Sequence, residues 1–431
     1  MTHYALYLSQ TQFFISLAFM LLFMALELGL SWVLFYFRLR TFGKAHNAWM
    51  GAYRFWVRIF ALAFIVSFAA AMPVLIQFGS LWPGLMEVMG EVAGPLLAAA
   101  MLSLFIFKSC FLGLMLFGQR RLSSFMHTVV VLMVALGVSL TVLCLVTLLA
   151  WMHVPTGVEL LDGRYLLLDW HEVLGNPALP WYAGLFFTSS FTVVAGFLVG
   201  VVTIQTFRRP VTESERLALK TGCVVAVLAL CAQLALVLNS PYFPVDIPQP
   251  SQLLEKKTVP TNQQAIEFVE DDLDALTEAG DLPAEPLSLD EALDEAVPVL
   301  IVATWSYRFA MVCGALLLAL CVWSLFRLAR FGFDPHSLSH RTRQALALAP
   351  GAAWVLLLSG SAFVLLGTTP YVIGDQILFA EVMGKHGVWA LSVGALLLSA
   401  VYVLCFYGFY RMVRHVVRFG VVPVARHRGR A

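Results

Sequence analysis

Apolar runs of membrane-spanning length, separated mostly by short polar loops, recur from one end of the sequence to the other. A helix rising 1.5 Å per residue needs ~20 mostly apolar residues to cross a hydrocarbon core of roughly 30 Å. Nine runs meet that length, over about 12–37, 54–78, 92–117, 125–151, 181–206, 218–238, 301–326, 345–367 and 387–410. The pattern predicts an all-α polytopic membrane protein with about nine transmembrane helices. One long polar segment, 239–297, interrupts the series. It holds Pro-rich stretches and an acidic run from Glu267 to Glu295, which reads as a solvated loop. It divides the chain into a six-helix half, 1–238, and a three-helix half with a basic tail, 298–431. The connection 152–180 carries amphipathic pieces such as Gly163 to His171.

Charge fixes the expected orientation. Twenty of the 27 Lys and Arg fall after runs 1, 3, 5, 7 and 9, from Arg38 in the first of these loops to Arg430 in the tail. Four, Arg164, Lys256, Lys257 and Lys385, fall after the even-numbered runs, and Arg58, Lys108 and Arg308 lie inside runs. The positive-inside rule then places the N-terminus outside and the C-terminus in the cytoplasm. Met1 to Tyr4 carries no basic n-region and the first run is too long for a signal h-region, so that run is expected to stay in the membrane.

Composition agrees with the pattern. Residues of the set AVILMFWYC make up 60% of the 431 and charged residues 12%, against about 45–50% and about 25% in soluble domains. A soluble enzyme, a disordered chain and a disulfide scaffold are excluded, and no basic patch suggests nucleic acid. The partner implied is the lipid bilayer. The seven cysteines all lie in apolar runs, with no CxxC or CxxCH pair, and read as small packing residues.

Few groups inside the runs carry chemistry. All ten histidines fall in loops, tails or at run edges; His127 reads as an interfacial anchor, and His153 and His171 as outer-side residues. Gly196-x-x-x-Gly200 reads as a close helix approach. Glu27 and Lys108 need a reason, because an intramembrane charge costs about 2.5–3.5 kcal/mol or more and persists where it is paired or functional. Counted from Phe13 and Gly94, each lies 14 residues in, roughly 21 Å along its helix. An intramembrane Glu27–Lys108 pair is expected; a proton or ion relay is the functional alternative.

The arrangement resembles subunit I of the cytochrome bd quinol oxidases: nine spans, N-terminus out, and a long loop between spans 6 and 7 that corresponds to the family's Q-loop. Local matches run in order: Leu8-Ser-x-x-Gln12-Phe13, Gln77-Phe-Gly-x-x-Trp82, Val134-Ala-Leu-Gly137, Trp151-Met-x-x-Pro155, Glu172-x-x-x-Asn176-Pro177, Arg308 with Cys313-Gly314, and Gly367-x-x-Pro370 with Ile373-Gly374. The resemblance implies two b-type haems and one d-type haem, quinol as substrate, a bacterial cytoplasmic membrane and a subunit II-like partner.

Family residues that would hold those groups are mostly replaced. The span 1 histidine falls on Met20 and that of span 5 on Leu185. The methionine ligand of low-spin haem b falls on Ala310, with Met311 adjacent and Arg308 retained. The span 3 carboxylates fall on Ala100 and Lys108, and those of span 8 on Leu358 and Leu365. The signature GRQPW reads Gly367-Thr-Thr-Pro-Tyr371, and the Q-loop pattern reads Gln249-Pro-Ser-Gln252-Leu-Leu-Glu255-Lys-Lys257. A haem iron needs axial donors, so losing nearly all of them together reads as a degenerate, non-catalytic subunit beside a subunit II-like or haem-bearing sister chain. Two alternatives stay open: quinol:oxygen electron transfer with a reduced haem set, one b haem on Met20 or Met311 near Arg308, and ion transport through Glu27 and Lys108.

Overall fold

The structure is a computed structural model that describes residues 3–43, 46–243, 289–384 and 386–419. The Gln249–Lys257 segment, most of the acidic run and the tail beyond residue 419 lie outside the described residues, as does Lys385. Among the described residues, nine helical segments are long and apolar enough to cross a membrane.

Span 1 is α1 (His3–Arg40) and span 2 is α2 (His46–Ser80). Span 3 is compound: α3 (Pro83–Ser103), a π-helical segment Leu104–Ser109, then α4 (Cys110–Phe117). Spans 4, 5 and 6 are α5 (Ser124–His153), α7 (Leu179–Thr206) and α8 (Glu213–Asn239). Span 7 is α9 (Leu289–Arg330), which starts twelve residues before the apolar run because hydropathy reads only the part facing hydrocarbon. After the short α10 (His340–Ala347), spans 8 and 9 are α11 (Ala349–Leu366) and α13 (Val388–Phe419). Successive spans run antiparallel. The end where α1 starts is called the N-terminal face here, and the opposite end, with its arginines, the basic face.

Burial ranks the spans. The most apolar stretch of α1 is 67% buried and that of the segment holding α7 is 72% buried, against 11% for the ninth span. α1 and α7 are therefore the centre, packed on α2, α5, α8 and α11, while α9 and α13 lie at the edge with large apolar side chains such as Phe309, Leu316, Leu396 and Val403 exposed. One apolar core draws residues from both sides of the 239–297 segment, from Phe23 on α1 through Val194 on α7 to Leu357 on α11 and Phe409 on α13. Gly196 and Gly200 make the α7–α11 contact: a Cβ on Gly200 would lie 2.4 Å from Pro350 Cδ, and one on Gly196 2.8 Å from the Ala349 carbonyl oxygen.

The π segment also packs at glycine. A Cβ on Gly137 of α5 would lie 2.1 Å from Phe107 Cβ, and Ser103 Oγ donates to the Gly137 carbonyl at 2.9 Å. Beyond it, fully buried Met115 offers its carbonyl to Tyr53 Oη at 3.3 Å and His127 Nε2 at 3.1 Å. His127 is thus a buried bracing residue, not the interfacial anchor expected. Arg38, expected in a loop, ends α1 almost fully buried, donating to Ser124 O at 2.8 Å with its guanidinium 5.6 Å from the Tyr53 ring centre. Two of the seven cysteines, Cys110 and Cys231, are exposed on the helix surface instead of packed inside.

The fold is not purely helical. The 152–180 connection forms an antiparallel hairpin, β1 (Val158–Leu161) with β2 (Arg164–Leu167), followed by α6 (Trp170–Leu174). Asp162 and Gly163 supply the positive φ values its tight turn needs. After span 8, β3 (Tyr371–Ile373), β4 (Ile377–Leu378) and α12 (Phe379–Val382) make a second hairpin and turn. Both sit on the N-terminal face over a separate apolar core that includes Trp82, Met89, Trp151, Tyr165 and Ile373. Main-chain bonds tie this cap to the spans: Gly374 N–H to Met152 O at 2.7 Å and Gly384 N–H to Leu81 O at 2.9 Å.

Candidate functional site

A cavity of ≈ 260 Å³ lies under that cap, between α1, α2, α3, α5, α7, α8 and α11. The helices meet it with apolar side chains, among them Met20 and Met24 on α1, Ala100 and Met101 on α3, Leu185 on α7 and Leu365 on α11. Toward the N-terminal face a collar of rings closes it. Phe13 meets Phe78 edge-on at 5.3 Å and Trp82 at 6.3 Å, and Phe379 meets Trp82 at 5.5 Å and Phe14 at 6.2 Å. Edge-to-face pairs at these spacings hold one another without polar groups.

Polar side chains in the lining are largely engaged within the protein. Thr141 Oγ1 donates toward Gly137 O at 3.0 Å and Ser103 Oγ at 3.3 Å, and Thr368 Oγ1 to Leu365 O at 3.2 Å. Gln233 Nε2 donates to Ser189 Oγ at 3.1 Å. His153 is the imidazole of the cavity, and both its ring nitrogens are turned to main-chain oxygens: Nδ1 lies 2.8 Å from Leu149 O and Nε2 3.1 Å from Val364 O. It braces α5 against α11, so neither nitrogen is directed at a ligand.

The structure brings together residues that the sequence places far apart. Met20, Ala100, Leu185 and Leu365, four positions where the family resemblance expects an axial ligand or a carboxylate, line this one cavity. Ala310 and Met311 lie on α9, half-buried and outside the lining. Arg308, also on α9, sets its guanidinium 5.0 Å from the Trp305 ring centre. Glu27 is fully buried on α1, seven residues past Met20, and is not part of the lining. The backbone of Lys108 lies in the π segment, and its side chain lies outside the described residues. His171 lies in the first turn of α6 on the cap, where its backbone N–H donates to Asp169 Oδ1 at 2.7 Å.

A haem can be tested against this lining. Axial ligation calls for imidazole, thiolate or thioether. Thioethers are present at Met20, Met24, Met101 and Met152, but the imidazole is engaged, and among the described residues no lysine or arginine lines the cavity. Among the described residues no group of three or more His, Cys, Asp or Glu is placed to hold a metal ion. The lining does not supply the donor set of the family's haems.

Comparison with known proteins follows the same line. Residues 8–240 and 238–421 match the family model for cytochrome bd terminal oxidase subunit I. Cytochrome bd-II ubiquinol oxidase subunit 1 of Escherichia coli (strain K12) is 28% identical over 243 residues, 54% of this chain and 46% of that protein. Cytochrome bd ubiquinol oxidase subunit 1 of Bacillus subtilis (strain 168) is 25% identical over 236 residues, 54% of this chain and 49% of that protein. These matches span about half the length of each of those curated relatives. The solved structure of bd oxidase from Geobacillus thermodenitrificans superposes with a TM-score of 0.78 at 15% identity, covering 98% of this chain and 100% of that one, which shows a shared fold.

Proposed function

The chain belongs to the cytochrome bd terminal oxidase subunit I family, and from that premise we propose that it is a degenerate, non-catalytic subunit of a bd-type respiratory complex. As a subunit I-like protein it is a multi-pass component of the bacterial cytoplasmic membrane. Its task in this reading is architectural: it holds a subunit II-like or haem-bearing sister chain in place. It also shapes the membrane around that chain's quinone access.

One observation carries the reading. The cavity gathers four of the seven positions where the family resemblance expects a ligand or a carboxylate, and at those four it is lined by Met20, Ala100, Leu185 and Leu365. A single exchanged donor would tune a haem, since thioether and imidazole both ligate iron. Three apolar aliphatic side chains at three such positions leave nothing to ligate or to accept a proton. The exposed apolar faces of α9 and α13 suit contact with lipid or a partner helix.

The alternative of one b haem draws on Met20, the thioether at the family's span 1 histidine position, but Met311 stands outside the cavity. An optical spectrum with a pyridine haemochromogen assay on the purified chain separates the two. The expected result is no stoichiometric haem in this chain, with haem recovered in co-purifying subunits. A Soret band at about one haem per chain, lost in Met20→Ala, overturns the proposal.

A further inference from the structure

We propose that the cavity holds one acyl chain of a membrane phospholipid, which enters from the bilayer between α2 and α3. The inference rests on the reading that the family's haems are not held here. It adds what the same space holds instead.

The chemistry of the lining points to an alkyl chain. Its lining is overwhelmingly apolar, and Thr141, Thr368, His153 and the Gln233 Nε2 group bond to protein partners. Buried water needs 2–4 polar partners, and among the described residues the buried lining atoms left without a partner are Gln233 Oε1 on α8 and Trp82 Nε1 in the ring collar. A void forfeits the dispersion contacts of every side chain around it, so an apolar guest is favoured over both.

Depth fits as well. Along α1 the lining runs from Phe13 to Met24, about 16 Å at 1.5 Å per residue. That is about half of a roughly 30 Å hydrocarbon core, the share belonging to the chains of one leaflet. The ring collar of Phe13, Phe78, Trp82 and Phe379 covers the end toward the cap, so the way in is lateral. On the α2–α3 side Met101 lines the cavity and is also 39% exposed, and its neighbours Leu102 and Phe105, with Ile76 on α2, are exposed. Cavity and lipid-facing surface meet there. Among the described residues no charged side chain lines the cavity, so the head group stays outside at the membrane surface.

Gly360 supplies the test. It lines the cavity on α11, and a Cβ there would meet nothing within 4 Å, so a larger side chain grows into the space without backbone collision. Gly351, on the same helix outside the lining, is equally free and serves as control. The full-length parent, Gly360→Phe, Gly351→Phe and the milder filling Ser361→Leu are purified in detergent with extensive washing. Retained phospholipid is measured by mass spectrometry of the extract, isoprenoid quinone by chromatography, and haem by pyridine haemochromogen.

The expected result is phospholipid retained stoichiometrically by the parent and by Gly351→Phe and lost from both filled variants. Equal retention in filled variants and parent overturns the inference, as does a parent that retains isoprenoid quinone in place of phospholipid. Stoichiometric haem overturns the underlying proposal as well, whereas a parent with neither haem nor phospholipid overturns the acyl chain alone.

Discussion

Glu27 and Lys108 concentrate the chemistry of the chain into two side chains. Glu27 is fully buried on α1, one of the two central helices, and its pairing with Lys108 is our proposal. If the two form a buried pair, Glu27→Leu or Lys108→Met each strands a charge, an expected loss of about 3–5 kcal/mol, while the double variant comes close to the parent. Thermal unfolding of the three variants in detergent checks it, and single variants as stable as the parent exclude the pair. A double variant that is stable yet silences the host complex points to a relay. Glycine makes the second residue-level prediction. Gly200→Leu drives a side chain into Pro350, so a loss of about 1–3 kcal/mol is expected from overpacking. Gly351→Leu, one residue beyond that proline, meets open space, and its melting temperature should match the parent's.

Elements differ in how plainly the sequence announces them. The nine spans were legible because each carries about twenty apolar residues, and Gly196-x-x-x-Gly200 gave away the α7–α11 approach. The π segment left no trace in hydropathy, since an extra residue in one turn does not change the mean. The hairpin at 158–167 did have a signal, Asp162-Gly163 between two four-residue runs, which a search for long apolar runs passes over. His127 and His153 could not be read as bracing residues, because the carbonyls they meet, Met115 O and Val364 O, are brought near only by packing. The hairpin offers a pH test. Burial pushes the Tyr165 phenol up from 10.0 to about 12, and its Oη donates to Gln376 Oε1 at 2.7 Å. Ionisation is then easier in the unfolded chain, so this tyrosine's contribution to stability is complete below pH 10 and is lost as pH rises toward about 12. Tyr165→Phe should lower stability at neutral pH by about 0.5–1.5 kcal/mol and lose less of it between pH 10 and pH 12. Melting temperature against pH, for both proteins, gives the comparison.

At the scale of the whole molecule, charge should decide which way the bundle sits. A reporter inserted in the Asp162–Gly163 turn is expected outside, and one in the Gly332–Phe333 turn in the cytoplasm, because twenty basic residues mark one side against four on the other. A reversed pair of signals overturns the orientation. The ranking of the spans by burial has a separate consequence, for how the chain is made. α1 is synthesised before α7 yet takes up a central position, and beyond α2 its cover comes mainly from α7, α5 and α13. About 165 residues separate the end of α1 from the end of α7, which is about 8–35 s of synthesis at ~5–20 residues per second. Through that interval Ser9, Gln12, Ser16, Glu27 and Ser31, all buried in the finished fold, are carried by a helix whose cover is only partly translated. The nascent chain therefore depends on early shelter for its first helix, whether from α2 or from the insertion machinery, and faults in assembly should begin there.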